Sequence, residues 1–135
     1  MENSKSKSSI KSFKDLEVYR NTYEACIIVH RKILPGLPKE EKYGLYDQLS
    51  RSTKAIPRLI AEGYAKRHQR AGFQKYLDDA MGECNESIVS IEQVKDIYNI
   101  ESKICDEIIA IYDKSGRQMY RLSEAWSNFK SRSKE

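Results

Sequence analysis

The sequence is poor in the residues that interrupt helices. Six glycines and three prolines are spread through 135 residues, with the prolines at 35, 38 and 57. An all-β sandwich or barrel needs turn residues every 8–12 positions, so this scarcity argues against both. Three cysteines, Cys26, Cys84 and Cys105, lie far apart with no CxxC pair, which excludes zinc ribbons and thioredoxin-type chemistry and reads as buried reduced thiols in the cytoplasm. Two histidines, with Ile27 and Ala65 three residues before them, leave no Glu-x-x-His pair for a di-metal site, so no metal or other cofactor is expected. The six glycines are dispersed and form no phosphate-cradling loop, and no Ser, Cys or His spacing suggests a nucleophile with its base. No catalytic residues are assigned, and a non-enzymatic protein is expected. No apolar run reaches the ~20 residues of a membrane span, so no membrane partner is expected.

What the chain does have is charge, 33% of residues, in an uneven arrangement. The net +4 combines +2 over residues 1–12, +2 over 13–65, +4 over 66–75 with no acid, −8 over 76–113 and +4 over 114–135. Such polarity suits a polyanion or a neighbouring copy of the same chain. Residues 1–12 read as a disordered basic tail, 13–129 as the folded domain and 130–135 as a second disordered tail.

Hydrophobic periodicity predicts four helices. The first covers residues 13–34, with Leu16, Tyr19, Tyr23, Cys26, His30 and Ile33 as its buried stripe, Ser12 as N-cap and Pro35 as its end. His30 on that stripe reads as a hydrogen-bonded core or interface histidine. The second begins near Lys39, carries Leu45, Leu49, Ser52, Ile56, Leu59 and Gly63 inward, bends at Pro57 and ends around 66–68. Phe73, Leu77, Ala80, Cys84, Ile88, Ile91, Val94 and Tyr98 mark the third, and Ile104, Ile108, Ile111, Ser115, Met119, Leu122, Trp126 and Phe129 the fourth. Helices of similar length joined by short connections predict an all-α, antiparallel up-down-up-down four-helix bundle.

Two constellations are candidate functional surfaces. Arg51, Lys54 and Arg58 fall on one face of the second helix, and Lys66, Arg67 and Arg70 continue the positive charge into the following turn, an array that attracts phosphate backbones. Gln48, Ser52, Glu62 and Glu86 are polar at positions turned inward or to the flank; they read as structural or subunit-contact residues, with Arg51 and Arg58 as candidate partners for acids such as Glu62.

The residues also resemble a family: the bacterial four-helix bundle proteins named after the intervening sequences of 23S ribosomal RNA genes. Phe13-Lys14-Asp15-Leu16-Glu17-Val18-Tyr19 is similar to its opening FxDLxVY. Asp47-Gln48-Leu49-Ser50-Arg51-Ser52, Ile56-Pro57 and Ile60-Ala61-Glu62-Gly63-Tyr64 resemble its DQIRRSxxSIPxNIAEGY, with departures at Ser50 and Arg58-Leu59. Gly82, Asn85 and Glu86, then Gly116, Met119, Leu122 and Trp126, resemble its third and fourth helices. The resemblance implies a bundle that assembles into a ring, commonly a homopentamer. Related accessory proteins of diversity-generating retroelements bind nucleic acid and a reverse transcriptase, so RNA or DNA and a reverse transcriptase are the partners it implies. The composition agrees with assembly, because nine tyrosines exceed what one slim bundle can bury. The alternative reading is a scaffolding protein whose charges serve self-assembly and a protein partner.

Overall fold

The computed structural model describes residues 10–134, with side chains through Ser127. The described residues are all-α, with four long helices and no strand. Residues 1–9 of the expected N-terminal tail lie outside them, as does the side chain of Phe129.

Ser12 is an N-cap, but of a short turn rather than of the first helix. Its Oγ accepts from the Lys14 N–H at 3.1 Å, while the Asp15 carboxylate accepts from the N–H groups of Ser12 at 3.1 Å and Lys11 at 2.8 Å. This capping box closes a 3-10 turn, Phe13–Asp15, and ties Lys11 and Ser12 to the domain instead of leaving them in a tail. Leu16 then becomes extended and buried, so the helix proper, α1, is Glu17–Ile28. A π-helical turn, Val29–Ile33, and a 3-10 turn, Leu34–Gly36, follow. Pro35 explains this ending: it has no N–H to donate, and its ring would collide with the carbonyl four residues back in a regular helix.

The second helix also starts later than expected. Lys39–Glu41 is a separate 3-10 turn after Pro38, and α2 is Leu45–Ala65. Its exposed first N–H groups need acceptors, and Glu41 supplies one: its carboxylate takes the Leu45 N–H at 2.9 Å and also accepts from the Tyr98 hydroxyl. Helical structure continues through the buried Pro57. The third helix, α3, is Gly72–Tyr98, and the fourth, α4, is Ser102–Lys134; helix therefore occupies 130–134, where a tail was expected. The tight α3–α4 connection uses two left-handed residues, Asn99 (φ 54°) and Glu101 (φ 45°).

α1 packs on α2 and α4, α2 on α3, and α3 on α4. Cross-helix bonds mark the pairings: Ser52 to Ser87 at 2.7 Å, Lys66 to Tyr76 at 2.7 Å, Cys84 Sγ to the Tyr112 carbonyl at 3.2 Å and Lys95 to Asp106 at 2.6 Å. The core holds Leu49, Ile56, Ile60, Phe73, Leu77, Ile91, Ile108 and Met119, all almost fully buried. Each such side chain contributes roughly 1.5–3 kcal/mol relative to leaving it exposed. Buried hydroxyls are satisfied locally, as Thr22 by the Val18 carbonyl at 2.8 Å and Thr53 by the Leu49 carbonyl at 2.7 Å.

α1 departs from its expected stripe. The buried positions are Val18, Thr22, Ala25, Cys26, Val29 and Ile33, whereas Tyr19 and His30 are half-buried and Tyr23 is 51% exposed. Thr22 and Ala25 are small enough to let α1 approach the bundle closely. Its tyrosines are turned away into a different environment.

Candidate nucleic-acid interface

That environment is an open groove of about 480 Å³ between α1 and α2. The Phe13–Asp15 turn brings Phe13 edge-on to Tyr19, with ring centroids 4.9 Å apart, and Tyr19 lies 5.9 Å from Tyr23. Across the groove α2 presents Lys54 and, one turn on, Arg58. His30 ties the two walls together. Its Nε2 is 3.0 Å from the Ser50 hydroxyl and its Nδ1 is 2.8 Å from the Cys26 carbonyl, so both ring nitrogens have partners, as expected of this residue.

A smaller hollow of about 320 Å³ lies beside Tyr19 and Tyr23 and is lined otherwise by Lys14 and Arg20. No carboxylate lines either space. Arg20 donates to the Lys14 carbonyl at 3.0 Å, which fixes its guanidinium beside the tyrosines. Lys14, Arg20 and the groove-forming role of Phe13, Tyr19 and Tyr23 are absent from the sequence reading. The signal available for them was the surplus of tyrosines.

The six cations named from the sequence fall into two groups. Lys54 and Arg58 are exposed and make no ion pair or hydrogen bond among the described residues, while Arg51, nearby on α2, pairs with Asp47 at 3.2 Å. Lys66, about 12 Å along the helix from Arg58 at 1.5 Å per residue, is engaged within the chain. It donates to the Tyr76 hydroxyl, sits 4.9 Å from that ring and pairs with Glu62 at 3.5 Å; the tyrosine hydrogen bond, above all, raises its pKa. Arg67 stacks 3.9 Å from the Tyr64 ring centroid and donates to the Tyr64 carbonyl at 2.7 Å. Arg70 is exposed at the turn.

An aromatic cluster sets that turn. Phe73 stands edge-on to both Tyr64 and Trp126, and the Trp126 indole N–H donates to the Arg67 carbonyl at 3.4 Å. Gly72 is required beneath it, since a Cβ there would lie 2.2 Å from the Lys66 carbonyl oxygen.

Of the four polar residues expected inward or at the flank, Ser52 is buried, on Ser87. Gln48, Glu62 and Glu86 are exposed on the single chain, because the helix rotation that buries Leu49, Ile56 and Ile60 carries them outward. Glu62 pairs with Lys66, not with Arg51 or Arg58. Glu83, missed in the sequence reading, has its pKa raised by partial burial and by the neighbouring Glu86 carboxylate, with Arg51 acting in the opposite sense.

The three thiols are buried and unbridged; burial pushes all three up, Cys84 to about 12, which suppresses thiolate chemistry. Among the described residues no group of three or more His, Cys, Asp or Glu could hold a metal ion, and no helix is long and apolar enough to cross a membrane.

These features define a class, a small all-α four-helix bundle with a cation-edged aromatic groove on one seam. The chain belongs to the family described as 23S rRNA-intervening sequence protein, whose model matches residues 14–121, from within the capping turn through most of α4. A search of curated proteins gives no match.

Proposed function

We propose that this protein is a non-enzymatic, cytoplasmic, ring-forming bundle that binds RNA or DNA through the basic surface of α2 and the α2–α3 turn. The observation that carries the reading is the pair Lys54 and Arg58, exposed, unpaired among the described residues and on a groove without carboxylates. Cations already neutralised by neighbouring acids release few counterions on meeting phosphate, whereas unpaired ones contribute fully. Arg70 extends the surface beyond the turn, and Arg51 is available where phosphate outcompetes Asp47. Lys66 and Arg67 act chiefly by holding the turn's shape.

The bundle runs up-down-up-down in this reading, which the pairings Ser52–Ser87 and Lys66–Tyr76, then Cys84–Tyr112 and Lys95–Asp106, support. Exposed Tyr43, Tyr46 and Ile97 support assembly with further copies, of which the homopentamer is the form the family resemblance implies. Three buried, unbridged thiols support a reducing compartment.

The test is titration of nuclease-treated protein with labelled RNA and DNA across a salt series starting at ~50 mM. Binding that weakens linearly in log salt is expected; no binding at the lowest salt overturns the reading. A second reading, a scaffold for self-assembly and a protein partner such as a reverse transcriptase, is favoured by the exposed acidic surface of α3, with Asp78, Asp79 and Glu86. Charge reversal separates the two. Under nucleic-acid binding, Arg51→Glu with Arg58→Glu leaves the ring intact and abolishes binding; under scaffolding it breaks the oligomer.

A further inference from the structure

We infer that the α1–α2 groove takes an unpaired base of a single-stranded nucleic acid, with the tyrosines as stacking platform and the flanking cations on neighbouring phosphates. The inference rests on the nucleic-acid reading and adds what that reading leaves open: the strand state of the ligand and the part of it that enters the protein.

Three observations meet here. The groove, about 480 Å³, is within the usual size of a small-molecule site, about 300–1,000 Å³, and its walls are aromatic and aliphatic. Phe13 and Tyr19 are packed edge to face on one another, which leaves Tyr23, 51% exposed, as the ring with surface to offer. Cations lie on both sides of the tyrosine pair, Lys14 and Arg20 in one hollow, Lys54 and Arg58 in the other, with no acid lining either. Charge of one sign flanking an aromatic pair complements a chain that alternates phosphate and flat π-face.

A duplex does not satisfy this arrangement. Its bases are stacked and paired inside, so it offers phosphates to Lys54 and Arg58 but nothing to Tyr23. A single strand can turn a base into the recess while its phosphates stay on the rim. Every base has a π-face, so the recognition tolerates sequence.

The experiment compares fluorescein-labelled oligothymidine, oligouridine and a DNA hairpin duplex by anisotropy, using the full-length protein in its native oligomer. Both single strands are expected to bind more tightly than the duplex. Tyr23→Ala weakens single-strand binding by about 5- to 150-fold, the usual range for a lost base stack, and leaves duplex binding unchanged. Tyr23→Phe retains single-strand affinity. Lys54→Ala with Arg58→Ala lowers the single-strand salt slope by about 1.4. Equal binding of strand and duplex, insensitive to Tyr23→Ala, overturns this inference and leaves the nucleic-acid reading standing. Absence of binding to all three probes overturns both. A smaller oligomer in Tyr23→Ala with single-strand affinity unchanged assigns the groove to a second copy of the chain and likewise overturns it.

Discussion

The α2–α3 seam and the α1–α2 seam are built from the same helix and solve opposite problems. On the α3 side, α2 presents Ser52, Ile56 and Gly63; the two helices come so close that a Cβ at Gly63 would lie 2.6 Å from the Tyr76 Cβ. On the α1 side, one turn of α2 away, Lys54 and Arg58 face tyrosines across open space. Stability alone favours the closed arrangement, since an unfilled space forfeits dispersion contacts on its lining. The open seam is therefore the place where sequence has been spent on something other than the single chain's stability.

The sharpest way to break this contrast is to truncate one aromatic on each side. Phe73 is fully buried between Tyr64 and Trp126, and Phe73→Ala should cost about 3–5 kcal/mol. Tyr23→Ala, half in solvent, should cost less than about 1 kcal/mol, and urea unfolding of the two variants measures both. Comparable losses would mean that Tyr23 belongs to the core and that the groove is part of the packing. A step down in size, Gly63→Ala inserts a methyl against the Tyr76 Cβ in the closed seam and should destabilise by about 1–3 kcal/mol through overpacking. An unchanged denaturation midpoint would show that α2 and α3 have room to separate.

This difference between the seams also explains what could be read in advance. α2 and α3 have a single apolar face each, so Leu49, Ile56, Phe73, Leu77 and Ile91 stand out at helical spacing and are indeed buried. α1 has two. The spacing of Leu16, Tyr19, Tyr23, Cys26 and His30 is as helical as that of Val18, Thr22, Ala25, Val29 and Ile33, but the second set is buried throughout, while in the first only Leu16 and Cys26 are. Large aromatics draw the eye to the first set. Thr22 hides the second, because its hydroxyl reads as polar until the Val18 carbonyl accepts it. For the candidate site, Lys54 and Arg58 were legible because four residues separate them on one helix face. The capture of Lys66 by Tyr76, and of Arg67 by Tyr64, was not, since the first depends on α3 folding back and the second on a ring-to-guanidinium geometry that spacing does not specify.

A smaller effect of opposite sign is expected deep in the bundle. Tyr112 is fully buried on α4, and its hydroxyl has no hydrogen-bond partner among the described residues; burial raises its pKa well above the ordinary value. Tyr112→Phe removes the unsatisfied hydroxyl while keeping the ring, and should stabilise by about 1 kcal/mol. A loss of stability on calorimetry would mean that this hydroxyl is satisfied in solution.

The weakest expected effect concerns the closed side's far end, where Glu41 joins the start of α2 to the end of α3. The Leu45 N–H first, then the Tyr98 hydroxyl, hold the Glu41 carboxyl below its ordinary range, and the same contact raises Tyr98. The two shifts have opposite consequences for stability. A depressed carboxyl contributes fully above its unfolded value, about 4.3, and loses that contribution as pH falls through the folded one; a raised phenol contributes below its unfolded value, about 10, and loses it as pH climbs through the folded one. Unfolding midpoints should therefore decline at both extremes. In Glu41→Gln both declines should be shallower, because the Glu41 carboxyl no longer titrates and Tyr98 no longer has that carboxylate to raise it above its unfolded value. Tyr23→Ala, on the open side, should leave both limbs where they are. A Glu41→Gln profile parallel to that of the parent would detach the contact from folding and leave the closed seam held by packing alone.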